Sequence, residues 1–218
     1  VRTPLVPMQH LHDLLGFETF LKLENLQNIG SFKQRGALVK LKSLSAKEAK
    51  AGVIAMSAGN HAQGVAYHAQ KLGIPATIVM PQGTPFGKIE ATTRYGARII
   101  LEGDSVDAAG SHARDLAKKN GLIFVHPFDD EHIIAGQGTI GLELLADCPD
   151  IDTVIVPIGG GGIIAGIATA VKAIKPSIEV IGVESTLYPS MYSATKSETP
   201  VVGGPTLAEG IALKAAGT

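Results

Sequence analysis

Lys33 is the residue in this sequence best suited to covalent chemistry. It follows Gly30-Ser31-Phe32 and precedes Ala37, Leu38 and Leu41, which recur at helical spacing, so its amine is predicted at a helix start. The positive end of a helix dipole disfavours a second positive charge, and burial lowers a lysine pKa further. An amine left neutral in this way can hold an aldehyde. Spacing alone does not separate such a lysine from an ordinary solvated one.

Two further stretches suit anions. Ser57-Ala58-Gly59-Asn60-His61 follows a strand-like run and opens a helical one, so several backbone N–H groups point into one turn. Ser57 and Asn60 are equally suited to capping that helix. Gly159, Gly160, Gly161 and Gly162 also stand between a strand-like run and a helical one, where glycines let backbone N–H groups approach a phosphate closely. The pattern Gly160-x-Gly162-x-x-Ala165, with Glu184 ending the next strand, equally fits a dinucleotide loop and its ribose-binding acid. Taken alone the loop leaves both readings open, but Lys33 and Asn60 have no duty in a dinucleotide site.

The histidines add little by spacing. His10, His12, His68, His112, His126 and His132 show no ligand pattern, although His126-Pro127-Phe128-Asp129 follows a strand end.

The elements that must position these residues alternate along the chain. Strand-like runs at 20–23, 53–56, 76–80, 99–101, 123–125, 153–157 and 180–183 are separated by helical patterns at 62–71, 106–119, 134–145 and 163–174. This order predicts an α/β fold, with mostly parallel sheets flanked by helices. We expect two lobes, a smaller one from 52–128 and a larger one from 1–51 plus 129–218, with the site in the cleft between them. From 185 onward, prolines and glycines break the periodicity and predict loop.

Bulk properties narrow the function. With 218 residues, 45% hydrophobic and 18% charged, the chain is long enough to bury roughly 70% of its surface. A net charge of −1 without a basic stripe argues against nucleic acid or an anionic membrane and for a small metabolite. One cysteine, Cys148, gives no disulfide framework and fits a reducing, cytoplasmic setting. No apolar run approaches the ~20 residues of a membrane span.

The runs Ser31-Phe32-Lys33-Gln34-Arg35-Gly36-Ala37 and Ser57-Ala58-Gly59-Asn60-His61-Ala62-Gln63-Gly64, with the four glycines, resemble the threonine dehydratase and serine racemase group of pyridoxal-phosphate (PLP) enzymes. The likeness extends from Thr3-Pro4-Leu5 to Gly182-Val183-Glu184, with three motifs in family order. It implies the two-lobed tryptophan synthase β-like fold. It further implies pyridoxal 5'-phosphate held by Phe32, Lys33, Asn60 and Gly159 to Gly162, with Lys33 as the catalytic amine. The substrate carboxylate would lie on Ser57, Ala58, Gly59, Asn60 and His61, the last through its backbone, and His126-Pro127-Phe128-Asp129 resembles a family segment near the cleft.

The implied reaction converts L-threonine to 2-oxobutanoate and ammonia, with L-serine to pyruvate as a secondary activity. Serine racemase is the rival within the group, yet related racemases carry a serine hydroxyl where this chain has Ala58. Cysteine synthases and tryptophan synthase β chains share the fold but differ in these motifs. A non-catalytic nucleotide-binding module is the rival from another class. The resemblance also implies a homodimer or homotetramer, and in some relatives a divalent or monovalent cation beside an acid at the Glu184 position. Here Ser185-Thr186-Leu187-Tyr188-Pro189-Ser190 offers no second acid. No serine or cysteine matching the family's partner for the pyridine nitrogen follows Gly210, so the chain is expected to be incomplete.

Overall fold

A computed structural model describes residues 1–200 and 202–217. A short antiparallel pair, β1 (Leu5–Pro7) and β2 (Phe20–Lys22), flanks the helix α1 (Gln9–Leu15). Then come α2 (Lys33–Lys42) and α3 (Ala46–Ala51), followed by β3 (Val53–Met56), α4 (Asn60–Leu72), β4 (Ala76–Met80), α5 (Phe86–Thr93), β5 (Arg98–Leu101), α6 (Val106–Asn120) and β6 (Ile123–Phe124). The last segments are α7 (Glu131–Asp147), β7 (Thr153–Pro157), α8 (Gly162–Ile174), β8 (Glu179–Val183) and α9 (Ser190–Thr195).

Strands β3 to β6 form one parallel sheet in the order β5-β4-β3-β6, and β7 pairs with β8 in a second parallel sheet. The α/β expectation and its mostly parallel sheets are therefore met. Every strand-like run in the sequence forms a strand, with ends moved by a residue at most. The short helices α1, α3, α5 and α9 carry no strong periodicity. In α1 no residue is buried, and α9 arises in a stretch read from its prolines and glycines as loop.

Strand alternation explains how the four-stranded sheet is covered. Val53 and Ala55 face one side with Ile78 and Met80, packing on Ala62, Val65 and Ala66 of α4 and on Ala37 and Leu41 of α2. Ile54 and Val79 face the other side against Ala109, Ala113 and Ala117 of α6. The second sheet buries Val154 and Val156 against Ile140 and Leu144 of α7 and Ile167 and Val171 of α8. Helix starts are fixed by side chains: Ser105 accepts from the Ala108 N–H, and Asp130 accepts from the His132 and Ile133 N–H groups.

Helix α7 sets the spacing on which the site depends. A methyl group at Gly136 would lie 2.6 Å from the Arg35 carbonyl oxygen, and one at Gly138 would lie 2.9 Å from that of Gly166. Glycines on two sides of α7 thus let α2 and α8 approach to backbone contact. Both elements flanking the site, the helix of Lys33 and the helix behind the glycine run, are measured off the same strut.

An ion-pair network ties the amino-terminal segment to that strut. The Arg35 guanidinium, 7% exposed, donates to both oxygens of Glu24 (2.8 and 2.7 Å) and of Glu143 (2.6 and 2.9 Å). Lys22 pairs with Glu143 at 2.7 Å and Asp147 at 3.2 Å, and Arg2 also reaches Asp147. Burial opposes the charge on each carboxyl of Glu24 and Glu143. Together the hydrogen bonds and charges around them, those of Arg35 foremost, outweigh it and hold both below the usual carboxylate range.

Candidate active site

Lys33 is the first residue of α2, with Phe32 at its cap position and the Ser31 hydroxyl accepting the Lys33 backbone N–H at 3.3 Å. Its ammonium donates to the Pro127 carbonyl at 2.6 Å, and burial pushes its pKa from 10.5 down to about 8. A lysine expected to be tuned towards neutrality is thus found so.

One cleft, with about 430 Å³ of empty space, brings Phe32 and Lys33 together with Gly159, Gly160, Gly161 and Gly162. Gly161 has φ +93°, a left-handed conformation that a side chain would strain, and it stands at the cap of α8 with no side chain closing that end. Free N–H groups at a helix start and an amine with a lowered pKa in one cleft suit a molecule carrying both a phosphate and an aldehyde. The donors present therefore fit pyridoxal phosphate.

The glycines also serve packing, which spacing did not show. A side chain at Gly160 would collide with the Phe128 ring, and one at Gly162 would lie 2.6 Å from the Phe128 carbonyl oxygen. At Gly161 the nearest group is the Met191 methyl, 2.6 Å from an added carbon. Met191 belongs to α9, whose start is held by Glu184: its carboxylate accepts from the Met191 and Tyr192 N–H groups, both at 2.8 Å. Glu184, read as a ribose-binding acid or a cation ligand, caps the helix that braces Gly161. Among the described residues no three His, Cys, Asp or Glu side chains are grouped to hold a metal.

The Ser57 to His61 turn lies beside this cleft rather than in its lining. Ser57, Ala58 and Gly59 are partly buried and Asn60 is exposed. The capping expected of Ser57 and Asn60 is not found, since Gly59 occupies the cap position of α4 without a side-chain bond. The Ser57 hydroxyl instead accepts from the Gly59 N–H at 3.1 Å. Helix α4 crosses α2 where a methyl group at Gly64 would lie 3.2 Å from the Lys33 carbonyl, which brings the turn close to the lysine. His61 is buried, and its Nε2 lies 3.0 Å from the Val125 carbonyl. Burial first, and the Lys33 charge second, depress its pKa to about 3, so it is neutral.

Several cleft residues escaped the sequence reading. Gln137, 1% exposed, accepts the Gly36 N–H at 3.3 Å and lines the cleft from between the two packing glycines of α7. Gly210, Ile211 and Leu213 reach the cleft because the tail folds back, with the Gly217 N–H donating to the Gly160 carbonyl at 3.1 Å. Pro127 and Phe128 belong to the segment expected near the cleft, and both line it.

A family model described as pyridoxal-phosphate dependent enzyme matches residues 1–218. The chain belongs to that family. Among curated proteins, this family member is 52% identical to an L-threonine ammonia-lyase of Thermotoga maritima, over 99% of the chain and 54% of that protein. It therefore spans about half the length of that relative. Among solved structures, the processed form of threonine deaminase isoform 2 from Solanum lycopersicum superposes with a TM-score of 0.94 at 43% identity, over 100% of this chain and 60% of that one. Maize serine racemase gives a TM-score of 0.92 at 36% identity, over 98% and 65%.

Proposed function

We propose that the protein carrying this chain is a pyridoxal-phosphate dependent threonine ammonia-lyase, converting L-threonine to 2-oxobutanoate and ammonia and L-serine to pyruvate. The observation that carries this reading is Lys33, an amine held at about pH 8 in one cleft with the Gly159 to Gly162 loop. The 52% identity to a threonine ammonia-lyase supports the choice of substrate.

In this reading Lys33 holds the cofactor aldehyde, the N–H groups of Gly159 to Gly162 hold its phosphate, and Phe32 and Asn60 flank its ring. When bound, pyridoxal phosphate supplies an electron sink for the pair left as the Cα–H bond breaks. The unfilled N–H groups at the start of α4, with Ser57, Ala58 and Gly59, bind the substrate carboxylate. Once the substrate amine has taken its place on the cofactor aldehyde, the freed Lys33 amine would take the Cα proton, and the Cβ hydroxyl would leave with a proton as water. One water is regained when the enamine hydrolyses, so the net products are keto acid and ammonia.

Residues 52–128 form the smaller lobe and 1–51 plus 129–218 the larger, a division supported by the separate sheets of β3 to β6 and β7 to β8. A homodimer or homotetramer in the cytoplasm belongs to the same reading. No helix among the described residues is long and apolar enough to cross a bilayer.

The test is borohydride reduction of the full-length protein with pyridoxal phosphate, followed by peptide mass mapping and a threonine deamination assay. A pyridoxyl group on Lys33, with deamination abolished in Lys33→Ala, is the expected result. Labelling elsewhere, or an active Lys33→Ala protein, would overturn the assignment.

A further inference from the structure

We propose that His126 is a positioning residue for Lys33: by accepting backbone N–H groups at Nδ1, its imidazole folds the Pro127-Phe128 turn that supplies the carbonyl partner of the lysine amine. The Asp129 N–H donates to Nδ1 at 2.8 Å, and the Phe128 N–H lies at 3.4 Å. A backbone N–H can only donate, so Nδ1 must present its lone pair and any ring proton resides on Nε2. Pro127 has no N–H of its own. The turn's two donors therefore converge on one acceptor, His126.

The segment is fixed on either side of this turn. Upstream, Val125 is fully buried, its N–H donates to the Ile54 carbonyl at 2.9 Å, and its carbonyl faces His61. Downstream, Asp130 caps α7 and pairs with Lys40 at 2.6 Å. Between these anchors the imidazole bonds shape residues 127 and 128, which give the Lys33 ammonium its acceptor and the glycine loop its aromatic wall. Phe128 packs edge-on to the His126 ring at 4.8 Å and Phe124 lies at 6.2 Å, which holds the imidazole plane.

The surroundings keep Nδ1 unprotonated. Burial lowers the His126 pKa, Asp129 and Asp130 oppose that, and Arg114 of α6 and Lys33 of α2 add to it. His61 of α4 faces the same ring and is neutral. His126 does not line the cleft, so its part is to place the groups that do.

This inference rests on the reading of Lys33 as the working amine, and the test separates the two. Competitive acetylation of the full-length protein across pH, without added cofactor, reads the Lys33 amine pKa by peptide mass spectrometry. Wild type, His126→Asn and His126→Leu are compared. An asparagine oxygen can accept the N–H two residues on, whereas leucine fills space without an acceptor. Lys33 should titrate near 8 in wild type and His126→Asn, and climb toward 10.5 in His126→Leu as the turn loosens and the amine meets water. Circular dichroism and unchanged titration of the other lysines would show that the fold persists.

A Lys33 titration in His126→Leu equal to wild type overturns the proposal. A folded His126→Asn protein that behaves like His126→Leu does the same, as does a 15N spectrum showing a protonated Nδ1 in wild type. Failure of pyridoxal phosphate to label Lys33 would instead remove the proposed function and leave these outcomes readable.

Discussion

With its pKa held at about 8, the Lys33 amine is half unprotonated at a pH where a solvated lysine is almost wholly charged. Its labelling by pyridoxal phosphate should accordingly rise through pH 8 and level off well below 10.5, which a pH series of borohydride-trapped product measures. At Gly160 the structure predicts loss by crowding. Gly160→Ala forces the Phe128 ring aside, so thermal unfolding should show a destabilisation of about 1–3 kcal/mol, with weakened cofactor retention on dialysis. At Ala58 a hydroxyl is lacking where related racemases carry one, so chiral chromatography after incubation with L-serine should find pyruvate and little D-serine. Lys33 and the four glycines were legible because each motif combines a residue type with an adjacent helix start. Leu213 was not legible, because an aliphatic side chain looks the same in a core and in a cleft wall. Gln137 announced itself only by standing between two glycines, a signal that acquires meaning once α2 and α8 are known to pack there.

Among the elements, α7 carries a consequence that neither sheet has. Gly136→Ala would drive a methyl group into the Arg35 carbonyl, and Gly138→Ala would do the same to Gly166. Each should cost about 3 kcal/mol, read from urea denaturation midpoints, and each should move one half of the site relative to the other. Threonine deamination is then expected to fall more than folded fraction does. Strand positions could be read from continuous apolar β-branched runs, which a sheet covered on both faces selects. Helix α9 could not, since its start is fixed by Glu184 from beyond the intervening turn rather than by a side chain at the cap position. An acid ending a strand invites a ligand reading, and only the three-dimensional path of the tail shows it meeting backbone N–H groups.

For the whole molecule, buried ionic and imidazole groups govern the response to acid. His61 and His68 have folded pKa values of about 3 and 4, depressed chiefly by burial, against 6.5 when unfolded. Their neutral forms support folding fully above pH 6.5, and that support is lost progressively as pH falls toward 3 to 4. Glu24 and Glu143 act in the same direction, because protonating either one breaks its bonds to Arg35. Stability should therefore decline from pH 6.5 downward, as chemical denaturation at several pH values would show. Arg35→Leu should cost about 3–5 kcal/mol at neutral pH by leaving buried carboxylates short of their cation, with the loss shrinking in acid. No local pattern revealed this network, whose members lie as far apart as Lys22 and Asp147.

The bond between the Lys33 amine and the Pro127 carbonyl spans 94 residues of sequence. At the usual pace of translation, roughly 5–20 residues per second, some 5–20 s separate the emergence of these two groups from the ribosome. Throughout that interval the lysine is an ordinary charged side chain. Its lowered pKa is acquired only once the Pro127 turn has arrived, and the glycine loop that completes the cleft follows later still.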